Sequence, residues 1–525
     1  MAHKEDELSH EPVFPLEIVH YIIKHLIQQH PDDFRPTLRS MALACRSYLP
    51  FCQELLFQEV EFGFYKLQKE RNKRLLRTLK SDQHLSKYIK KLVCSIVTYD
   101  VYGCTPMYFA SIFRSLHKHL FNVHHLDFRA GNWDADADEA PNGEASLLTD
   151  EFLNLFGGFE HITTLSFKGH IYISPAIITR FPNIHTLVIK DGSLDISNDA
   201  SSTIPIEIEK WSQTLQHLKT RGTCHVPIWA LTRLANLESI ESEPSLYKYG
   251  PTFDNDDPEL CDQRQRLRCV ASFDRLERVH QLDLDLLLVM TLAAQRTRKS
   301  KGGGVSAFPA LRTLHLTPNA YDLISDGLGQ IFHYTPALEE ISLDFNFANR
   351  VSRAKPNFAT LFQCCNKALR SIKITAEFWV EWDTPAGEFE YNNDILRNLC
   401  DGLESVRGQN VIEELELVLH WKNADVLVAE GREEPFDDWA RLDSVLMEDV
   451  EGDFPRLRRV NFSLRFLVFR DICDGHWFWG DFMKERLRRL CSTRKIRFRG
   501  VIHRSLPSPG INSVAIIGGE TEEWY

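Results

Sequence analysis

The chain has 525 residues, 43% hydrophobic and 26% charged, with a formal net charge of −12. That balance belongs to a folded protein, and the length accommodates several ordinary domains or one long repeat array. The negative charge argues against general nucleic-acid binding, which needs a basic footprint.

The first residues, MAHKEDELSH, are charged where a secretory signal would be apolar, and residues 1–12 read as a flexible start. The longest apolar stretch, LLLVMTLAA from Leu286, spans nine residues, and a membrane helix needs ~20. Twelve cysteines contain no CxxC pair, which fits reduced thiols better than metal ligands or disulfides. The expectation is a protein of the cytoplasm, the nucleus or both, with no membrane segment.

Leu16, Val19, Ile22, Ile23 and Leu26 recur at three- and four-residue steps, one face of a helix. Pro15 fits its first turn, where a missing N–H costs nothing. HPDDFRP breaks the pattern, after which Leu38, Met41, Ala42 and Cys45 make a second apolar face. Pro50 can begin a third helix carrying Leu55, Leu56 and Val60. Three short helices over residues 13–60 bury little by themselves, so they lean on the rest of the chain or on a partner.

The same residues carry a family pattern. FPLEIVHYIIKHL followed by LRSMALACRSYLPFCQELLF resembles an F-box, particularly the fungal type. Pro15 and Glu17 match its opening, Phe14 replaces its leucine, and Ile18, Ile22 and Leu26 fill its aliphatic positions. Cys45 and Arg46 match a later dipeptide, and Tyr48 stands where the family has tryptophan. The resemblance implies a docking surface for the Skp-type adaptor of a cullin–RING ubiquitin ligase. Phe14, Pro15, Ile18, Ile22, Leu38, Ala44, Cys45 and Tyr48 would supply it.

A basic linker helix is predicted over 61–86. Residues 66–91 hold ten Lys or Arg against Glu70 and Asp82. Leu67, Leu75, Leu76 and Leu79 would pack beneath a solvated face able to steer an acidic partner. The segment also resembles the linker of fungal F-box proteins.

From residue 87 to 500 one spacing returns thirteen times: apolar, two others, apolar, one other, apolar. FPALRTLHLTPN and TPALEEISLDFN, 27 residues apart, each place an Asn eight positions after the first Leu, at Asn319 and Asn346. These two resemble leucine-rich repeats, whose Asn side chain satisfies backbone groups at the bend after the strand. Other copies begin at Ile89, Val123, Ile162, Ile184, Leu215, Leu237, Val279, Leu369, Ile412, Leu457 and Thr493. Phe181, Phe308, Thr335 and Phe454, each followed by Pro, announce four of them.

The fold class expected is α/β: a three-helix F-box followed by an irregular leucine-rich-repeat solenoid. Parallel strands would line its concave face, with helices and loops outside, because no unit can bury its apolar face alone. His315, Ser342, Lys373 and Glu416, between template positions, are the candidates for binding a target on that face. Insertions are expected near 130–150, 249–265 and 295–307, and a C-terminal tail over 501–525. Asp134, Asp136 and Asp138 mimic the start of a calcium loop, but Glu139 stands where Gly is required and Ala145 where Glu is.

HKHLFNVHH gathers His117, His119, His124 and His125 without a Cys or carboxylate spaced to complete a metal site, so surface histidines are expected. The glycosylation sequon at Asn461 falls in a predicted strand and is discounted. Trp477, Phe478 and Trp479 read as packing at the end of the array. No catalytic constellation, cofactor motif or metal set emerges. The sequence therefore predicts a non-enzymatic substrate-recognition adaptor of a Skp–cullin–F-box ligase, its solenoid holding a protein target whose identity the sequence does not specify. The alternative is an F-box and repeat scaffold acting outside any ligase.

Overall fold

A computed structural model describes residues 16–29, 34–44, 46–64, 68–96, 109–130, 146–147, 154–157, 159–169, 171–172, 180–190 and 211–221. It further describes 234–243, 273–282, 306–317, 324–345, 358–381, 390–391, 394–422, 437–448, 452–467, 484–493, 496–507 and 516–524, with a few single positions between. Two compact units result, Met1–Thr214 with Thr223–His225, and Leu215–Gly222 with Val226–Tyr525.

The first unit opens with α1 (Leu16–Gln29), α2 (Phe34–Ala44) and α3 (Leu49–Phe57). They close on a small core of Val19, Ile23, Leu38 and Cys52, with Phe34, Met41, Tyr48, Phe51, Leu55 and Leu56 packed around it. The His20 ring stacks on Phe51 with centroids 3.6 Å apart. Pro50 occupies the first turn of α3 as expected. Val60, however, is not helical. It lies in β1 (Glu59–Gly63), where Val60 and Phe62 are buried and Glu59 and Glu61 are only half-buried, the two-residue alternation of a strand.

The basic helix is shorter than 61–86: α4 covers Lys69–Ser81, and a 3₁₀ turn follows over Gln83–Tyr88. Asn72 fixes it to the sheet, its buried amide donating to the Gly63 carbonyl at 2.7 Å and accepting from the Gly63 N–H at 3.3 Å. Next come β2 (Lys91–Ile96), α5 (Ala110–His117), β3 (His125–Ala130), β4 (Ser146–Leu147), β5 (Thr164–Lys168), β6 (Ile171–Tyr172) and β7 (Thr186–Lys190). The order β1-β2-β3-β5-β7 is parallel throughout, and β4 pairs with β6 separately. The register puts Val60, Leu92, Leu126, Leu165 and Leu187 in one buried row. Phe62, Phe113, Phe128, Phe156, Phe159, Phe167 and Phe181 fill the space behind the strands. Their ring centroids lie 4.9 Å apart for Phe113 and Phe156 and 5.4 Å for Phe128 and Phe167. Aromatic pairs of this kind contribute ~0.5–1.5 kcal/mol each beyond area burial.

The second unit repeats the pattern. Its strands are β8 (His217–Arg221), β9 (Ser239–Glu243), β10 (Arg278–Leu282), β11 (Thr313–Leu316), β12 (Glu340–Phe345), β13 (Ser371–Glu381), β14 (Glu390–Tyr391), β15 (Glu414–Lys422), β16 (Arg459–Leu467), β17 (Arg497–Pro507) and β18 (Ile516–Trp524). β8 to β13 run parallel in chain order, followed by β15, β16 and β17; β14 and β18 add antiparallel to β13 and β17. Helices α6 (Ile324–His333), α7 (Phe358–Cys365), α8 (Asp394–Glu404), α9 (Asp437–Met447) and α10 (Arg488–Ser492) lie between the later strands, each packed on the next. The chain is thus α/β, built on parallel strands that add in sequence order.

One local device recurs in several repeats. A buried residue three positions before the first apolar template residue accepts its N–H: Phe273 from Leu276, Phe308 from Leu311, Thr335 from Leu338 and Phe454 from Leu457, at 3.2–3.3 Å. The turn aims the following strand, and two consecutive N–H groups then share one carbonyl of the previous strand, as Arg312 and Thr313 share that of Glu277.

All thirteen predicted copies form strands, but two are displaced. Val279 pairs with Ile240 and Leu314, so it holds the middle apolar position and Leu276 the first. Phe498, not Ile496, pairs with Val460. The array also continues past residue 500, β17 running to Pro507 and β18 occupying part of the segment expected to be a tail. Asn319, Asn346, the second acidic and the Gly-rich insertions, and Trp477 to Trp479 lie outside the described residues, as does the first acidic insertion apart from β4. Among the described residues no helix is long and apolar enough to cross a membrane.

Candidate functional site: a helical docking face and a polar sheet face

In α1 the 3.6-residue period turns Val19 and Ile23 into the core and leaves Ile18, Tyr21 and Ile22 outside, 47%, 75% and 49% exposed. Leu43 near the end of α2 is 90% exposed and Leu49 at the start of α3 38%. Large apolar side chains left exposed in one small helical unit make it a candidate docking surface. Of the residues expected there, Ile18 and Ile22 are exposed, Ala44 is exposed and Tyr48 is half-buried against the core. Leu38 is the exception: at 1% exposure it belongs to the core and supports the face from within. Phe14, Pro15 and Cys45 lie outside the described residues. Tyr21, Leu43 and Leu49 were missed, because as apolar residues off the repeating stripe they gave no periodic signal.

The polar face of the first unit holds a charge network. Lys91 Nζ lies 2.9 Å from Glu59 and 3.3 Å from Asp127, and Arg129 reaches Asp127 at 2.8 Å. Asp127 is buried, and Lys91 and Arg129 both lie within ion-pair distance of it. Glu61 accepts from Ser95 at 2.7 Å and pairs with Arg71 at 2.9 Å. His125 begins β3 beside Lys91. It is not the surface histidine the sequence suggested: burial, aided by the Lys91 charge, pushes its pKa down to about 4. His117 stands edge-on to Phe159 at 4.5 Å, and His124 bonds the Asn122 carbonyl at 2.8 Å. These three histidines therefore serve separate local contacts. Among the described residues no group of three metal-binding side chains converges.

In the second unit the strand register brings together residues that are distant in sequence. His280, His315, Ser342, Lys373, Glu416, Asn461 and Arg499 occupy one row across β10, β11, β12, β13, β15, β16 and β17. All four predicted target-binding residues, His315, Ser342, Lys373 and Glu416, fall in this row and stand partly open to solvent. Lys373 pairs with Glu416 at 2.7 Å. His315 Nδ1 meets His280 Nε2 at 3.1 Å, and burial, with the charges of His280 and Lys373, holds the His315 pKa down at about 4. Lys219 and Glu241 form a further cross-strand ion pair. Such a surface of paired charges and neutral donors suits recognition of another macromolecule's polar surface. No family model matches the chain, and no curated protein aligns with it.

Proposed function

We propose that the chain is a protein–protein adaptor. In this reading α1–α3 are an F-box that docks on a Skp-type adaptor and through it on a cullin, and the strand array is a leucine-rich-repeat solenoid whose polar face holds a protein target. Holding the target near a ubiquitin-charged enzyme raises the effective concentration of its lysines, while the transfer chemistry belongs to other subunits. The observation that carries the reading is the exposure of Ile18, Tyr21, Ile22 and Leu43 on a compact three-helix unit whose sequence resembles an F-box.

Co-purification with a Skp-type adaptor tests it, wild type against Ile18→Asp with Ile22→Asp. Both side chains are about half exposed, so the charges leave folding intact but place unpaired carboxylates in any interface there, which is costly. Loss of the adaptor from the variant alone supports the reading. Equal recovery, or none with either chain, sinks it. Recovery of the adaptor without cullin moves the assignment to a scaffold outside the ligase.

A further inference from the structure

Arg35, Arg39 and Leu43 follow one another at four-residue steps along α2 and so share one face of it. Steps of three carry the succession on to Arg46, in the 3₁₀ turn Arg46–Tyr48, and to Leu49, the first residue of α3. All five side chains are exposed, while Leu38 and Cys52 turn the other way into the three-helix core. Guanidinium and isobutyl groups are thus interspersed on a single strip.

No ion pair or hydrogen bond holds the side chains of Arg35, Arg39 or Arg46 among the described residues. Neither α2 nor the turn contains an Asp or Glu, and Glu54 of α3 is engaged by Lys90 at 3.3 Å. In the second unit, by contrast, Arg397 of α8 meets Asp438 of α9 at 3.6 Å, and Arg441 of α9 meets Glu404 of α8 at 2.9 Å. Like charges four positions apart destabilise a helix, so Arg35 and Arg39 do not serve the helix that carries them. Arginine beside exposed apolar side chains is instead a composition of protein interfaces, where Arg is enriched.

We propose that the partner of the three-helix unit presents an acidic surface, with carboxylates set around the apolar sites that take Leu43 and Leu49, and that Arg35, Arg39 and Arg46 steer its approach. A membrane-bound amphipathic helix keeps its cations apart from its apolar side chains, so that the apolar face can sink between lipids. Here the two share one strip, and the opposite apolar face is already buried in the core. A nucleic-acid backbone would meet the cations and leave Leu43 and Leu49 unmatched. The net charge of −12 also repels any extended polyanion, whereas a protein surface engages the strip locally, within the ~10 Å reach of charges at 0.1 M salt. The inference rests on reading the three-helix unit as the dock for a Skp-type adaptor.

The test is stopped-flow association of the full chain with a Skp-type adaptor at about 50 and 300 mM salt. Arg35→Gln with Arg39→Gln should slow association roughly tenfold at the lower salt, flatten its salt dependence and leave dissociation within about twofold. Arg312→Gln with Arg370→Gln removes the same charge from ion pairs of the second unit and should change neither rate. An association rate unaltered in the first variant, or lowered equally in both, overturns the proposal. So does capture of the wild type, but not of the first variant, by vesicles containing phosphatidylserine, which would make the strip a membrane contact. Absence of any adaptor binding by the wild type sinks the F-box reading and this inference together; binding at rates indifferent to the charges sinks this inference alone.

Discussion

Replacing Gly169 by Ala should be among the most damaging single changes in the first unit. Gly169 ends the segment after β5 with φ at 91°, a conformation that costs an L-residue such as Ala ~1–2 kcal/mol. A Cβ there would also collide with the Ala130 carbonyl oxygen and come within 3.1 Å of its carbon. Both atoms are backbone at the end of β3, so neither can swing aside. Relief requires one strand end to move, which strains the packing by ~1–3 kcal/mol. The Gly169 N–H bond to the Lys190 carbonyl, 2.9 Å long, is lost with it, at ~1 kcal/mol. The smaller entropy of unfolded Ala returns only ~0.4–1 kcal/mol, so the net loss is ~2–6 kcal/mol. Gly157 is the internal control: its added Cβ would meet nothing nearer than the Asn154 carbonyl at 3.5 Å. Urea titration gives the free energies, and hydrogen exchange over β3, β5 and β7 shows whether the loss is local. A Gly169→Ala penalty under about 1 kcal/mol, or one equal to that of Gly157→Ala, would refute the reasoning.

Acid should destabilise the protein through two histidines. The pKa values of His125 and His315 fall from 6.5 to about 4 on folding, so between those values the unfolded chain binds protons that the folded chain refuses. Stability is then complete above pH ~6.5 and declines toward pH ~4; the ceiling of ~3 kcal/mol per ring drops to about 1–2 once the solvent-exposed part of each is allowed for. Urea midpoints across this range should show the decline, and His125→Gln with His315→Gln should flatten it; an unchanged slope would remove the histidines as its cause. Burial lifts the thiols of Cys365 and Cys400 to about 12. At about pH 8 an alkylating reagent should label them only after denaturation, and rapid labelling of either in the native protein would contradict their packing.

The repeats were legible because each strand announces itself twice, by its apolar spacing and by the turn before it. Where the spacing is ambiguous the frame slipped. In LERVHQLDL apolar residues recur every three positions, at Leu276, Val279 and Leu282. The spacing favours the frame that ends at Leu284, since the one from Leu276 puts Gln281 at its third position, yet the turn closed by Phe273 selects the frame that starts at Leu276. In KIRF, Ile496 and Phe498 are two apart, and alternation alone cannot tell which joins the row. The helical site was half legible for a related reason. Periodicity marks Ile18, Ile22 and Leu38 as apolar, but only packing reveals that Leu38 faces inward and Ile18 and Ile22 outward. Neighbours across strands were not legible at all: Arg459 and Arg497 are 38 positions apart in sequence and meet only through register.

In the proposed reading, stability and recognition occupy opposite sides of the same strands. In the second unit the row Leu218, Ile240, Val279, Leu314, Ile341, Ile372, Leu415, Val460 and Phe498 is buried. Truncating one such side chain typically costs 2–5 kcal/mol. The ion pairs on the other side, Lys373 with Glu416 and Arg459 with Glu414, leave their side chains 38–47% exposed, and pairs of that kind contribute ~0–1 kcal/mol. They cannot be what holds the strands together. What they do is balance the charge of that face from strand to strand, where acids and bases pair across neighbouring strands. A change of sign on that face therefore costs the fold little and alters the partner greatly, whereas a change of size on the buried face does the reverse. The polar face is accordingly where substitutions should redirect binding without unfolding the chain.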